Sequence, residues 1–328
     1  DDSHTVVNSH LNAYSPTTPK RIYSKCVSPT PSSRKTPQQR MFSTTNTNTS
    51  VSKEEVSKFS ALASNWYDST SNPLIGMNPV RLSYIQQILR QQQQQQHPSP
   101  SSSSPLKGLR VLDVGCGGGL LSISLAKLGA HVVAIDPSVE IVNVAHEYYT
   151  RTQRHSSLSS EDDSGSIDFR GGVSVEDLAQ EYLEKKEALF DVVCILEVIE
   201  HTNDPHSLLS AASSLLKPPT SSSSNDADGE SGGTLFLSTI NQTLKSYAFA
   251  ILGAEYIAQK LPVGTHSYSL FRSPSQVLEL MKGVGLKERS EVCGMVVEPS
   301  PFILRDMNWK LDRKDVDVNW IGAYCRST

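Results

Sequence analysis

The sequence has no CxxC pair. Its five cysteines, Cys26, Cys116, Cys194, Cys293 and Cys325, are odd in number and far apart. Both a disulfide framework and a structural zinc ribbon are disfavoured by that spacing. No uninterrupted apolar run reaches about 18 residues, so no transmembrane helix is predicted. A large excess of one charge is missing too. The formal net charge is −4, which argues against a dominant basic surface for nucleic acid. Aromatic residues make up only 7% beside 37% hydrophobic, a globular composition diluted by polar segments. At about 150 residues per domain, 328 residues fit two domains or one large α/β domain.

Residues 3–50 lack any acidic residue while carrying Lys20, Arg21, Lys25, Arg34, Lys35 and Arg40 among Ser, Thr, Asn and Pro. Basic, hydroxylated and acid-poor is the composition of an organelle transit segment, and equally of a disordered tail. The run Arg40-Met41-Phe42-Ser43 is similar to a mitochondrial processing site, so residues 1–50 are expected to be a transit segment. Three stretches, near 91–105, 155–166 and 220–231, are dominated by Gln, Ser, Pro or acidic residues and are expected to be solvated loop insertions.

The rest alternates between short apolar runs and helical patterns. Leu109–Val114, His131–Asp136, Ile167–Arg170, Phe190–Leu196 and Gly233–Thr239 read as strands. Leu120–Leu128, Val139–Tyr149 and Pro205–Leu216 read as helices. Continuous apolar strands separated by helices predict an α/β, Rossmann-like fold: a mostly parallel sheet with helices on both faces.

Asp113-Val114-Gly115-Cys116-Gly117-Gly118-Gly119 falls between a strand and a helix. Glycines there let the backbone turn sharply and approach a ligand. A dinucleotide loop wants GxGxxG, but Leu120 stands where a regular third glycine would be. Asp136 ends the next strand, where a carboxylate can accept both hydroxyls of a ribose, and Asp113 can accept from an ammonium group. VLDVGCGGG followed by VVAID resembles the S-adenosylmethionine site of class I methyltransferases. Cys116 reads as a small buried residue rather than a nucleophile.

The strand ending at Leu196 runs into Glu197-Val198-Ile199-Glu200-His201. If this segment turns helically, Glu197, Glu200 and His201 share one face at i, i+3 and i+4. Two carboxylates and an imidazole then make a half-site for Mg²⁺, Mn²⁺ or Zn²⁺. The alternative is that they orient the loop and bond to backbone without any metal.

Further strings narrow the family. They are Asn78-Pro79-Val80-Arg81-Leu82-Ser83-Tyr84-Ile85, Leu196-Glu197-Val198-Ile199-Glu200-His201, Gly253-Ala254-Glu255-Tyr256-Ile257 and Gly264-Thr265-His266. With the glycine loop, this series closely resembles the ubiquinone-biosynthesis O-methyltransferase family, over residues 53–328 apart from the insertions. The resemblance implies methylation of catechol hydroxyls on a polyprenyl dihydroxybenzoate and a demethylubiquinol. It implies S-adenosylmethionine contacts at Arg81, Gly115, Asp136 and Leu196, and a divalent cation, foremost Mg²⁺, at Glu197, Glu200 and His201. It further implies peripheral attachment to the matrix side of the mitochondrial inner membrane within a complex of ubiquinone-biosynthesis proteins. The sequence departs from the family at Tyr67, where a second Trp is common, at Ser267, and at a KPGG turn split into Lys217-Pro218-Pro219 and Gly232-Gly233.

Arg81 can pair with the methionyl carboxylate, or be a surface helix arginine. His266 is a candidate proton acceptor, or a structural histidine in a turn. Residues 244–261 are helix-prone and apolar, and are expected to form an interfacial helix or a core or lid helix. Two other functions are weighed. A metal-dependent RNA 2′-O-methyltransferase wants a basic groove that the charge balance opposes. A catalytically inactive scaffold is at odds with the intact Gly115, Asp136 and Glu197-Glu200-His201.

Overall fold

The apolar runs become the centre of one sheet. In the computed structural model, which describes residues 50–69, 72–96, 104–155, 165–219, 232–247, 268–298 and 308–327, eight strands are joined in a single layer. They are β1 (Arg110–Val114), β2 (His131–Asp136), β3 (Ser166–Gly171), β4 (Val192–Leu196), β5 (Thr234–Ile240), β6 (Leu286–Val297), β7 (Trp309–Asp312) and β8 (Asn319–Arg326). The order is β3-β2-β1-β4-β5-β8-β6-β7. The first five strands are parallel; β8 runs antiparallel to both β5 and β6, and β7 antiparallel to β6. The parallel portion matches the sequence expectation, and its five strands fall where the apolar runs predict them. The antiparallel portion is additional.

Among the described residues eight α-helical segments accompany the sheet: α1 (Lys53–Leu62), α2 (Leu74–Gln96), α3 (Leu120–Lys127), α4 (Val139–His155), α5 (Val175–Lys185), α6 (Pro205–Leu215), the short turn α7 (Leu244–Ser246) and α8 (Pro274–Gly283). Side chains alternate across each strand, so the sheet feeds two separate cores. Val111, Val132, Val192 and Phe236 pack with Ile85 and Ile88 of α2, Leu125 of α3 and Ile141 of α4. Leu112, Ile135, Val193 and Leu235 pack with Leu178 of α5, Leu209 of α6 and Val277 of α8. Each such aliphatic side chain contributes about 1.5–3 kcal/mol when fully buried.

The glutamine tract departs from the loop expected for it. Gln91–Gln96 continues α2 rather than interrupting it. Gln is an unbranched, strong helix former, and two tract residues gain partners. Gln93 Nε2 donates to the Pro105 carbonyl at 3.1 Å, and Gln92 Oε1 accepts from Thr234 Oγ1 at 3.1 Å. The split KPGG turn is restored in space, because the Gly233 amide donates to the Lys217 carbonyl at 3.0 Å. Residues 1–49, 220–231 and 248–267 lie outside the described residues, and with them the transit segment, His266 and most of the 244–261 helix.

Candidate functional site

The chain steps outward from β1 to β2 and β3, then returns to place β4 on the other side of β1. The carboxyl ends of β1 and β4 therefore flank the switch point of the sheet, where open α/β folds bind ligands. A cleft of about 160 Å³ lies there, and Arg81, Gly115, Asp136 and Leu196 all line it. The four positions named from sequence as cofactor contacts thus meet in one place.

The loop after β1 presents backbone. Gly115, Gly117 and Gly119 hold φ of 67°, 51° and 79°, a region that disfavours side chains. At Gly118 the limit is space, since a Cβ would come within 2.1 Å of Trp66 Cδ1. Trp66 lies over this loop, and the Tyr67 hydroxyl, on the departing position, donates to the Gly118 carbonyl. Asp136 braces the loop from β2, accepting from the Gly117 amide at 3.0 Å and the Ser138 amide at 2.8 Å. Two carboxylate oxygens offer about four acceptor positions, which leaves room for ribose hydroxyls. Burial raises the Asp136 pKa against those two amides. Burial also pushes Asp113 up to about 7, opposed by the Ser122 hydroxyl and the Arg81 charge. Cys116 is buried, with its thiol pushed well up by burial, as a packing residue should be.

Arg81 is no surface residue: it is 5% exposed on α2. Its Nε and Nη2 are buried without a hydrogen-bond acceptor. An unsatisfied guanidinium facing a cleft, a glycine cradle and two buried carboxylates fit a zwitterionic amino acid joined to a ribose.

The loop after β4 presents charge, in an arrangement the sequence did not predict. Glu197 takes φ 56° and Val198 φ −125°, so the helical face proposed for Glu197, Glu200 and His201 never forms. Only Ile199–His201 turn, as a single 3₁₀ step. Glu197 Oε1 accepts from Ser238 Oγ at 2.6 Å and stands 3.3 Å from Arg81 Nη2. Glu200 Oε2 accepts from Thr239 Oγ1 at 2.9 Å. His201 Nδ1 meets Glu55 Oε2 of α1 at 2.8 Å. Burial and the Glu197 charge push the Glu200 carboxyl up, with His201 opposing. Burial works against the His201 imidazolium, but Glu55, Glu200 and Glu197 outweigh it and raise its pKa. The His201 hydrogen bond, set against burial, holds Glu55 down at about 2.

Glu55 carries no sequence signal for this role. It belongs to α1, whose segment crosses the site: the Ser50 carbonyl accepts from the Asn203 amide at 2.9 Å and from Thr202 Oγ1 at 2.7 Å. Phe59 stands edge-on to the His201 ring, 4.9 Å between centroids. Ser52 caps α1, accepting from the Glu55 amide at 3.3 Å, which fixes the first turn and aims Glu55 inward.

Comparison with known proteins gives the family. Residues 81–291 match the family model of a methyltransferase domain. The ubiquinone biosynthesis O-methyltransferase of Xanthomonas euvesicatoria pv. vesicatoria is 41% identical over 247 residues, 75% of this chain and 84% of that protein. That of Marinobacter nauticus is 38% identical over 276 residues, 84% of this chain and 95% of that one. The chain belongs to the ubiquinone biosynthesis O-methyltransferase family. Among solved structures, a magnesium protoporphyrin IX methyltransferase from Synechocystis PCC 6803 with bound SAH aligns over 75% of this chain and 84% of its own. Its identity is 20% and its TM-score 0.43. The plantazolicin methyltransferase aligns over 83% and 91%, at 14% identity and a TM-score of 0.49.

The cation donors that the family resemblance implies do not converge. Among the described residues no group of three His, Cys, Asp or Glu side chains is placed to hold a metal ion. Glu197 and His201 line the cleft but turn to opposite partners, Arg81 on α2 and Glu55 on α1, while Glu200 is committed to Thr239. The reason is the left-handed turn at Glu197, which rotates its side chain off the face that Glu200 and His201 would share.

Proposed function

We propose that this chain methylates catechol hydroxyls in ubiquinone biosynthesis, on a polyprenyl dihydroxybenzoate and on a demethylubiquinol, with S-adenosylmethionine as donor. The observation that carries the donor is the cleft at the β1 and β4 ends, where Arg81, Asp113, the glycine loop and Asp136 stand together. Family membership supplies the acceptor. Arg81 holds the methionyl carboxylate, Asp113 its ammonium group and Asp136 the ribose hydroxyls. The glycine loop admits the chain between them.

That grip fixes the sulfonium methyl toward the acceptor. A phenolate oxygen attacks the methyl carbon, and the sulfur–carbon electron pair returns to sulfur. S-adenosylhomocysteine leaves with the methyl ether formed. A phenol with a pKa near 10 is a weak nucleophile at neutral pH, so its proton must leave first. His266, outside the described residues, is the acceptor the sequence offers. Positioning supplies much of the remaining acceleration.

A divalent cation, foremost Mg²⁺, is the finer reading, and it rests on resemblance. The donor set as arranged does not fit one, and no step above runs through it. Peripheral binding to the matrix face of the mitochondrial inner membrane is likewise a proposal. It is supported by the acid-poor residues 3–50 and by Leu244, 84% exposed where the apolar 244–261 segment begins. Among the described residues no helix is long and apolar enough to cross a membrane.

The test is transfer of a labelled methyl group to a short-chain demethylubiquinol, with and without chelator. No transfer at saturating donor would overturn the acceptor. Full activity after chelation would leave Glu197, Glu200 and His201 as pairing residues only. Loss restored by Mg²⁺ would require residues 197–201 to rearrange.

A further inference from the structure

Glu197 directly follows an entirely buried strand and is one of only two non-glycine residues with positive φ among the described residues, the other being exposed Lys186. A left-handed glutamate carries a conformational cost that its surroundings must offset, and such outliers gather at functional sites. Here the surroundings come from three elements. Ser238 of β5 donates to Oε1 at 2.6 Å, and Asn319 of β8 donates to Oε2 at 3.4 Å. Arg81 of α2 stands 3.3 Å from Oε1. The Glu197 amide also donates to the Ser238 carbonyl at 3.0 Å, pinning the turn itself. Both side chains of the pair are nearly sealed from solvent, at 6% and 10% exposed.

The Arg81–Glu197 approach is an ion pair without hydrogen-bond alignment, and it leaves Nε and Nη2 unsatisfied. A guanidinium presents five donors in a rigid fork, so a carboxylate on one side sets the direction in which the rest point. The geometry points to Glu197 as a positioning residue. It orients Arg81 toward the carboxylate of the amino-acid half of the cofactor, and its oxygens serve that pair instead of a cation. This rests on the reading that Arg81 binds that carboxylate.

Three requirements separate this role from metal ligation. A positioning partner needs an acceptor oxygen, whereas a cation site needs the charge. The effect must be present with chelator, and it must vanish when Arg81 is gone. Binding of S-adenosylhomocysteine to chelator-treated full-length protein, measured by titration calorimetry, reads all three. Glu197→Ala is expected to weaken binding roughly ten- to a hundred-fold, the scale of hydrogen bonds to a charged group. Glu197→Gln, which keeps an acceptor, stays within about three-fold, a small fraction of one such bond. In an Arg81→Ala background, Glu197→Ala adds no further loss, because coupled residues are not additive. Glu197→Gly relieves the φ strain that Ala retains, so it loses affinity as Ala does while melting higher than Glu197→Ala. In turnover, KM for S-adenosylmethionine rises while kcat changes little.

Unchanged or tighter binding in both the Ala and Gly variants, with Arg81→Ala still weak, would overturn the positioning role alone. A competing carboxylate would give the tighter binding. Unchanged binding in Arg81→Ala would overturn the assignment of the cofactor carboxylate and this proposal with it. A loss that appears only when Mg²⁺ is added, shared by Gln and Ala, would return Glu197 to metal ligation.

Discussion

Two loops leave adjacent parallel strands within the same cleft and solve opposite problems. The loop after β1 is nearly bare: its glycines bring backbone to the ligand, and its neighbours Trp66 and Val198 sit where side chains would be. The loop after β4 is crowded with charge, and each charge is committed to a partner on another element. The first depends on empty space and fails by steric intrusion. The second depends on distant partners and fails when one is removed. They also touch, because a Cβ on Gly115 would meet Val198 Cγ2 at 2.6 Å.

The largest effect is expected from filling the space. Gly115→Ala imposes both left-handed strain and the clash with Val198, together roughly 2–4 kcal/mol of lost stability. Chemical denaturation measures it. Adding Val198→Ala should recover the clash portion and leave the strain, which splits the two causes. If Gly115→Ala melts like wild type, the contrast between the loops is wrong.

Asp136 tests the brace behind the first loop. Asp136→Ala should weaken cofactor binding by about 1.5–3 kcal/mol, because a charged acceptor of ribose hydroxyls is lost. Unchanged affinity by calorimetry would remove the nucleotide assignment.

Protonation sharpens the contrast further. Asp113 has its pKa raised to about 7 by burial, from an ordinary 3.8. Between those values the folded chain binds more protons than the unfolded one, so this group's contribution to stability is lost as pH rises through the folded value. Asp113→Asn abolishes that titration. Melting temperature plotted against pH should therefore fall less steeply from about pH 4 to pH 7 in the variant than in wild type. Parallel curves would show that Asp113 ionises in the fold as it does in the unfolded chain.

The smallest effect concerns the charge pair on α1. Glu55→Gln should cost about 1 kcal/mol or less at pH 6, as a partly exposed ion pair does. Glu55 is held at about 2, so its contribution is present above about 4.5 and lost as pH falls through about 2. Variant and wild type should therefore converge in stability near pH 2. Hydrogen exchange at pH 6 should show α1 opening more often in the variant while the β4 amides stay protected.

What could be read from sequence follows the same division. The glycine loop, its strand and its helix are contiguous, and composition marks every position, so the strand ends and Asp136 fall where expected. The second loop was legible in content but not in shape. A left-handed Glu197 leaves no compositional trace, and its partners Ser238 and Asn319 are 41 and 122 residues away. Glu55 is 146 residues from His201, on a helix whose polar sequence gives no hint of a site. The antiparallel strands were hidden for another reason. Leu286–Val297 carries Lys287, Glu288, Arg289 and Glu291, and its pairing with β8 includes register shifts, so no clean alternation marks it. The glutamine tract misled by composition: low complexity signals poor core-forming ability, but not poor helix formation.

The position of β8 bears on how the chain is made. This strand lies between β5 and β6, pairs with both, and is buried along nearly all its length, yet it comes after both in the sequence. During synthesis β5 emerges before β8, with one side of its hydrogen-bonding ladder open, an edge that attracts other strands. It stays open until Asn319–Arg326 arrives to fill it. Asn319, which donates to Glu197, comes in the same stretch. Until then the growing chain holds its glycine loop beside an unsupported Glu197 and an exposed strand edge. One segment therefore both closes the sheet and completes the support of Glu197, so the sticky edge and the unfinished site disappear together.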